Sequence, residues 1–470
     1  MEPTPATRPE DKPRPAGNIE MDVELVEDIT SLVESGEQGM VMNIVADLHP
    51  ADLSQLVTHI PIETARAIFH WLPVEKAGDV LAELDDEYRA KLVEETSEAR
   101  LAAILDELDT DDAADVIADL PSEVARKVLP ALEDSADVQE LLTYDEESAG
   151  GIMAAEFVAV PLDWTVAQVT EEVRRNAEEV EDIYVVFVVD EAGCLKGVVN
   201  LKRLLLSGAL RRIGDIMEAD FHAVDTGLDQ EEVARVMERY DLVSLPVVDA
   251  DGRLVGRVTI DDIVDVIRDE AEEDFRRMSG VSTSEEPTDS VFRIVTHRLP
   301  WLLAGLAGAS LAASVIWMFN ATLQEASILA GFIPIIMATA GNAGIQSSAI
   351  TVQGLASGDM WATDLKRRVT KELRVAIVNA SVAALLLGLV IMVISPTIIG
   401  GISSPFRLAL TATLALLLVI VQATTMGTLI PLVLNKVGID PALATGPFIT
   451  TSNDIIGILV FFLLARILYL

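Results

Sequence analysis

One carboxylate, Asp454, stands inside an apolar run that begins at Pro447 and reaches nearly to the end of the chain. It is the only acid that the apolar spans delimited below enclose. Seven residues after Pro447, it lies about 10 Å into a helix that rises 1.5 Å per residue. Carboxylates in hydrocarbon are costly and are usually retained for function. Arg466, twelve residues further on, is too distant to pair with it within one chain. A single carboxylate is a weak cation site. A two-fold axis, the commonest symmetry of homo-oligomers, would bring two together and match one divalent ion. A hard ion such as Mg²⁺ gives up water reluctantly and prefers near-octahedral oxygen. It would therefore be held through its hydration shell, with backbone carbonyls near Gly457 assisting. Asn342 and Gln346 are four residues apart in another apolar run and share one helix face, so they are candidates for the same path. Close packing of small residues explains that segment equally well. Ser347, Ser348, Thr424 and Thr425 are weaker candidates.

A second cluster of acids precedes the apolar runs. Asp262, Asp265, Asp269 and Glu272 follow one another at steps of three, four and three, and Asp261, Glu273 and Asp274 extend the group. These spacings make one stripe on a helix. Like charges so placed destabilise a helix by roughly 0.2–0.5 kcal/mol per pair, and only Arg268 offers local relief. A divalent ion would reverse the penalty; a solvated face is the alternative. The five histidines show no ligand spacing, and the single cysteine, Cys194, excludes a disulfide framework and a Cys-rich zinc site. An oxygen-only ligand set favours a hard ion, with Co²⁺ or Ni²⁺ as the alternative cargo.

Charge divides the chain that carries these groups. Residues 1–290 hold 24 Lys and Arg against 69 Asp and Glu, net −45, whereas residues 291–470 are net +4. So large a negative charge repels nucleic acid and excludes that class of partner. Apolar runs long enough to cross a bilayer lie near 299–319, 326–345, 375–395, 408–434 and 447–469. The basic residues Arg293 and Arg298, the cluster Lys366, Arg367, Arg368, Lys371 and Arg374, and Lys436 fall on one side of such a five-span layout. The positive-inside rule makes that side cytoplasmic. The N-terminal portion is then cytoplasmic and the C-terminus outside. Residues 1–20, with five prolines and no apolar run, read as a disordered tail.

Two internal repeats organise the acidic portion. Over about 40–140, Leu48-His-Pro-Ala-Asp-Leu, Leu72-Pro-Val-Glu-Lys-Ala and Leu108-Asp-Thr-Asp-Asp-Ala sit on a twelve-residue grid. One short helix fits each unit, and such helices bury their apolar faces only by stacking. Over 146–270, Asp190, Gly193 and Gly197 recur as Asp249, Gly252 and Gly256, each offset by 59 residues. An apolar run, an Asp-x-x-Gly turn and a second apolar run make a β-hairpin. A helix is expected before each hairpin (165–176; 229–240) and after it (201–207; 261–273). The duplicated strand-helix-strand-strand-helix pattern resembles a tandem pair of CBS domains. The segment 275–298 reads as helical at both ends with a polar stretch over 279–290.

The fold class expected is a multidomain membrane protein: an N-terminal all-α superhelix, an α/β tandem CBS domain pair, a connecting helix and a five-helix transmembrane domain. Its boundaries are a disordered tail over 1–20, an acidic superhelix over 21–140, CBS domains over 141–210 and 211–273, a connecting helix over 274–298, and spans over 299–470. This order resembles the MgtE family of Mg²⁺ channels. Local matches are Tyr144-Asp-Glu-Glu-Ser-Ala-Gly-Gly-Ile-Met153, Gly341-Asn-Ala-Gly344 followed by Gln346-Ser347, Asp440-Pro-Ala-Leu443, and Asn453-Asp454-Ile-Ile-Gly457. Ile345 departs from the family, where a polar residue is commoner.

The resemblance implies a homodimer in the inner membrane, a pore formed by the membrane halves, and closure when cytoplasmic Mg²⁺ is high. It also implies that Asp111, Asp112 and Asp115 face the acidic stripe. Gly256-Arg-Val-Thr259-Ile-Asp261-Asp262 fits the Gly-x-x-Thr-x-x-Asp pattern of nucleotide-binding CBS domains, with Thr259 toward phosphate and Asp262 toward ribose. The first copy, Gly197-Val-Val-Asn200-Leu-Lys-Arg203, lacks both, so at most one ATP site per chain is implied. No phosphate-binding loop or aspartyl-phosphate motif is present in the sequence, so passive flow is expected and not ATP-driven pumping or enzymatic turnover. A membrane-anchored metal or nucleotide sensor that conducts nothing is the alternative. Asp454 and the polar segment 341–348 argue against it.

Overall fold

The computed structural model describes residues 23–177, 180, 183–282, 290–356, 365–398, 404–444 and 446–470. The expected tail 1–20, most of the polar stretch 279–290, and parts of the loops after the second and third spans lie outside the described residues. The described chain divides into two units, Met1–Val266 and Ile267–Leu470.

The described residues of the first unit open with ten α-helices: α1 Val23–Glu34, α2 Gln38–Val45, α3 Pro50–His59, α4 Ile62–Trp71, α5 Val74–Ala82, α6 Asp86–Val93, α7 Glu98–Leu105, α8 Thr110–Asp119, α9 Ser122–Val128 and α10 Ser135–Leu141. From α2 to α9 each helix starts twelve residues after the one before. The grid is written by its starts. Pro50 occupies the first turn of α3, where His49 caps Ala51 N, and Ser97 caps α7 through Arg100 N. Pro61, Pro73 and Pro121 stand at the N-caps of α4, α5 and α9, ending the preceding extended link without needing an N–H. Helices this short are unstable alone. Each packs on the helix two further along: α2 on α4, α3 on α5, and so on to α8 on α10. Leu53, Leu56, Ile68, Phe69, Leu81, Leu101 and Ile104 are fully buried in the stack. Arg100 of α7 donates to the carbonyls of Phe69 and Leu72, satisfying the open C-terminal end of α4.

The repeated half follows as β1 Ala159–Pro161, α11 Val166–Arg175, β2 Val185–Val189, β3 Leu195–Asn200 and α12 Leu201–Leu205. It then recurs as β4 Val224–Asp225, α13 Gln230–Tyr240, β5 Ser244–Val248, β6 Leu254–Thr259 and α14 Ile260–Ser279. In each three-stranded sheet the first strand runs parallel to the second and the second antiparallel to the third. Val186 faces Val199 as Leu245 faces Val258. The turns are held by Asp190 and Asp249, whose Oδ1 atoms accept two backbone N–H bonds each. Gly193 and Gly252 take φ of +81° and +77° there, which only glycine adopts without strain.

The expected cut between 141–210 and 211–273 crosses an exchange of segments. Ser148 and Ala154 bridge to Asp229 and Arg257 of the second repeat, while Thr165 and Val198 of the first bridge to Arg212 and Glu218. Each repeat therefore carries a lead-in borrowed from the other. The superhelix and the second repeat share one apolar core, and the first repeat has its own. The expected boundary at 273/274 also falls inside α14, a continuous helix that ends at Ser279. Of the described residues of the connecting segment, 274–279 belong to α14 and 291–298 to α15 Val291–Met318.

The second unit adds α16 Asn320–Glu325, α17 Ile333–Ala356, α18 Leu365–Ile398, α19 Pro405–Lys436 and α20 Pro447–Leu464. Among the described residues five segments are long and apolar enough to cross a membrane: Val291–Met318, Ser327–Ala356, Lys366–Val393, Pro405–Lys436 and Phe448–Tyr469. The second extends well beyond the expected end at 345, because Gln346, Ser347 and Ser348 lower the local hydropathy without breaking the helix. The third starts earlier than expected. Glu372, buried, therefore lies on a spanning helix, and Asp454 is not the only acid there. Glu372 is tolerated because Arg368, one turn earlier, brings its Nη2 within 3.2 Å of Glu372 Oε1. Helix α19 is the centre of this unit, packing on α17, α18 and α20, while α15 packs on α20.

Candidate functional site

Two loci gather the chemistry, one in each unit. In the second unit, α17 buries Ile336, Ala340, Gly341, Gly344, Ser347, Ser348, Thr351 and Val352. Asn342 and Gln346 lie on its other face and are exposed, as is Ile345. The sequence candidates are thereby sorted. Asn342 and Gln346 are open to whatever lies outside one protomer, while Ser347 is committed to a buried hydroxyl pair with Thr428 (2.7 Å). Thr424 is buried, and Thr425 donates to the Val421 carbonyl of its own helix. Gly457 is buried, its Cα facing Val419, Ala340 and Ile336, so its missing side chain lets α20 approach α17 and α19.

Asp454 is partly exposed, and its Oδ1 has no hydrogen-bond partner among the described residues. Its neighbour Asn453 is completely buried and accepts from Gln422 Nε2 of α19 at 3.2 Å. Sequence reading missed both amides. Asn453 was visible only as part of a motif, and Gln422 carried no signal in its own helix.

The cytoplasmic candidates meet in the first unit. Asp111 and Asp112 open α8, with Asp111 buried, and the carboxylates of Asp109 and Asp262 act on both. Burial first, then the charge of Asp262, raises the Asp111 carboxyl well above its ordinary range. Burial, then Asp262, Asp115 and Asp109, pushes Asp112 up to about 7 against the pull of Arg89. Asp262 is raised by burial to about 6, although the Thr259 hydrogen bond opposes the rise. Glu156, missed in the sequence, is also raised, by burial and then by Asp109, while accepting from Thr110 N and Oγ1. Burying so many carboxylates together stores repulsion that only protons or a cation relieve. Asp115 is exposed and reaches this cluster through Asp112. Asp261 and Asp265 stay exposed on the first turns of α14, and Asp261 acts on Asp262. Among the described residues no three such side chains converge into a ready coordination shell.

Thr259 and Asp262, read as nucleotide contacts, bind each other. Thr259 Oγ1 and N both donate to Asp262 Oδ2, at 2.5 and 3.2 Å, which closes the first turn of α14 as a cap would.

Along the rest of α14 the stripe is less bare than its spacing suggests. Arg268 pairs with Asp269 at 3.3 Å, Arg276 with Glu272 at 3.6 Å, and Arg277 with Glu273. Arg268 is therefore not the only relief: the last turn supplies two more arginines, at the i+4 positions that suit acids N-terminal to them. Arg277 also pairs with Asp440, in the link between α19 and α20, whose Oδ1 caps Ala442 N at 2.7 Å. Asp274, raised by burial and by the Asp440 charge, completes this group.

Three family models match the chain: the divalent cation transporter model of MgtE over 333–464, the MgtE intracellular N domain over 48–147, and the CBS domain over 149–208 and 213–269. The magnesium transporter MgtE of Thermus thermophilus is 33% identical over 460 residues, covering 95% of this chain and 99% of its own. That of Enterococcus faecalis is 38% identical over 333 residues, covering 71% of this chain and 72% of its own. A crystal structure of the cytosolic domain of the Mg²⁺ channel MgtE in complex with ATP is 38% identical. It covers 51% of this chain and 99% of that one, with a TM-score of 0.49.

Proposed function

The chain belongs to the MgtE family of magnesium transporters, and from that premise we propose that it is a Mg²⁺-selective channel closed by cytoplasmic Mg²⁺. The observation that carries the pore is polarity exposed on spanning helices. Asp454 is partly exposed, and Asn342 and Gln346 are exposed on α17. In lipid such groups are costly to leave unsatisfied, so they face water or a second copy. A homodimer satisfies both needs: two Asp454 carboxylates across a two-fold axis neutralise one divalent ion, and the amides of Asn342 and Gln346 bind its hydration water. A monovalent ion leaves the same pair under-neutralised. At 4 Å a charge pair is worth about 4 kcal/mol even at an effective dielectric of 20. The N-terminal modules are cytoplasmic, since the basic residues before the first span and after the second and fourth share one side, and the C-terminus is outside.

Gating follows from the buried acids. Mg²⁺ draws Asp111 and Asp112 of α8 together with Asp262 of α14, and its loss leaves net repulsion between the superhelix and the second repeat. Helix α14 carries Asp262 in its first turn and Arg277 in its last, and Arg277 pairs with Asp440 just before α20. The same continuous helix thus links the acid cluster to the element that carries Asp454. Asp265, Asp269, Glu272, Glu273 and Asp274 add further cation sites along it. ATP is a regulatory ligand at Thr259 and Asp262, and it and Mg²⁺ act on one carboxylate.

The test is Mg²⁺ flux into liposomes holding the purified protein. Asp454→Asn keeps the shape and one oxygen but removes the charge. It is expected to abolish Mg²⁺ selectivity while leaving dimerisation intact. Passage of Mg²⁺ at the unmutated rate through the dimeric variant would sink the pore assignment.

A further inference from the structure

The Asp454 Oδ1 is buried without a hydrogen-bond partner among the described residues, so no hydrogen bond to that atom aims the carboxylate. Its direction is therefore set by the rotation of α20 about its own axis. Neighbouring residues on a helix point about 100° apart, so fixing Asn453 fixes Asp454.

Asn453 is fixed from two sides. Its Oδ1 accepts from Gln422 Nε2 at 3.2 Å, and its side chain is completely buried. Its Nδ2 lies against Gly344 of α17, where an added Cβ would stand 2.1 Å away and 2.7 Å from Ile449 Cγ2. Gly344 in turn is pressed by α19, since a Cβ on Gly427 would come 2.3 Å from the Gly344 carbonyl oxygen. The α17 and α19 backbones therefore meet closely at this point, and α20 seats the Asn453 amide and the Ile449 side chain against the same glycine. There is no slack for α20 to turn.

Adhesion between helices is a poor account of these groups. Gln422 Oε1, Asn453 Nδ2 and Ser348 Oγ are all buried without a hydrogen-bond partner among the described residues. Half-satisfied amides are an expensive adhesive in a medium where apolar packing costs nothing in desolvation. What one directed amide bond supplies, and apolar packing does not, is a unique angle.

We infer that Asn453, held by Gln422 and seated against Gly344, is the positioning residue that turns Asp454 toward the ion path. The inference rests on the reading of Asp454 as the pore carboxylate, and its test separates the two. The full-length protein is prepared with its single cysteine removed (Cys194→Ala) and with Asp454→Cys, reconstituted in liposomes, and treated with a water-soluble thiol reagent. The modification rate is compared with and without Gln422→Met, an unbranched apolar replacement of similar length, and with Gly344→Ala as an independent disturbance of the same seat. In parallel, the two substitutions are made with Asp454 intact and the half-saturating Mg²⁺ concentration is measured.

Either substitution is expected to slow modification at 454 and to raise the half-saturating Mg²⁺, each on the order of tenfold, a change of about 1.4 kcal/mol. Lower thermal stability with both quantities unchanged would show the amides to be adhesive only and would overturn the inference. Unchanged behaviour in every respect would do the same. The labelling reports the rotation of α20 whether or not Asp454 binds an ion. A full Mg²⁺ flux through Asp454→Asn would therefore remove the pore reading without altering that result.

Discussion

Replacing Asp112 by Asn should stabilise the metal-free protein above pH 7 and blunt its response to Mg²⁺. Asp112 is raised to about 7 by burial and then by Asp262, Asp115 and Asp109, and Asp262 is raised to about 6 by burial. In the unfolded chain both titrate near 3.9. A carboxyl raised on folding contributes stability that is complete below the unfolded value and is lost as pH rises through the folded one. The loss therefore spans about pH 4 to pH 7. For Asp112 alone a rise of three units at 1.36 kcal/mol each corresponds to about 4 kcal/mol by pH 8. Asp111 and Asp262 titrate with it, so their contributions do not add separately. Mg²⁺ takes the place of the proton. At pH 7 Asp112 is about half protonated, so cation binding expels about half a proton from it, falling toward zero by pH 9. The assay is thermal unfolding of the full chain in detergent with and without Mg²⁺ at pH 6 and pH 8. Calorimetry in two buffers of different ionisation enthalpy counts the protons released. The Mg²⁺-induced rise in Tm should be larger at pH 8. Asp112→Asn should raise the metal-free Tm at pH 8, leave it nearly unchanged at pH 5, and shrink the Mg²⁺ effect. Equal Mg²⁺ effects at the two pH values, or a lower metal-free Tm for the variant at pH 8, would refute the reasoning.

Four further outcomes are expected. Millimolar Mg²⁺ should protect the first unit from limited proteolysis, and equal cleavage with a chelator would remove the gating proposal; Asp262, Asp265 and Asp269 all replaced by Asn should give a channel that stays open at high Mg²⁺. Thr259→Val removes the hydroxyl that donates to Asp262 and should weaken ATP binding about tenfold by calorimetry on the full chain, while absence of ATP binding to the unmutated protein would withdraw the nucleotide site. Arg277→Ala leaves Glu273, Asp274 and Asp440 without their shared cation, so half-maximal closure should need a different Mg²⁺ concentration; an unchanged Mg²⁺ dependence would detach Asp440 from the gate.

Local periodicity made most of the architecture legible. A twelve-residue step needs only the start signals and apolar spacing of each short helix, and α2 to α9 begin on that step. The 59-residue repeat carried both hairpins because an Asp-x-x-Gly turn is specified by its own four residues, as the left-handed Gly193 and Gly252 attest. The five spans follow from hydropathy alone. Where polar residues enter a span the same signal fails: the second segment runs to Ala356, since a buried face of Gly and Ser packs well while reading as weakly apolar. Glu372 was likewise assigned outside a span, because hydropathy weighs its charge but not the Arg368 that pairs with it.

The sequence by itself therefore determined most of the elements and the apolar segments long enough to cross a membrane, and it singled out Asp454 and the acidic stripe as candidates. Tertiary structure alone decided which of these groups meet. Gln422 and Asn453 are 31 residues apart and Arg277 and Asp440 are 163 apart, and no period within either helix records the other partner. The rise of Asp111, Asp112 and Asp262 needs burial among other chain segments, which no charge count supplies. A helix face repeats every few residues and is written in its own sequence. The neighbour against which that face turns is fixed by packing, where one missing Cβ, as at Gly344, sets how closely two backbones approach.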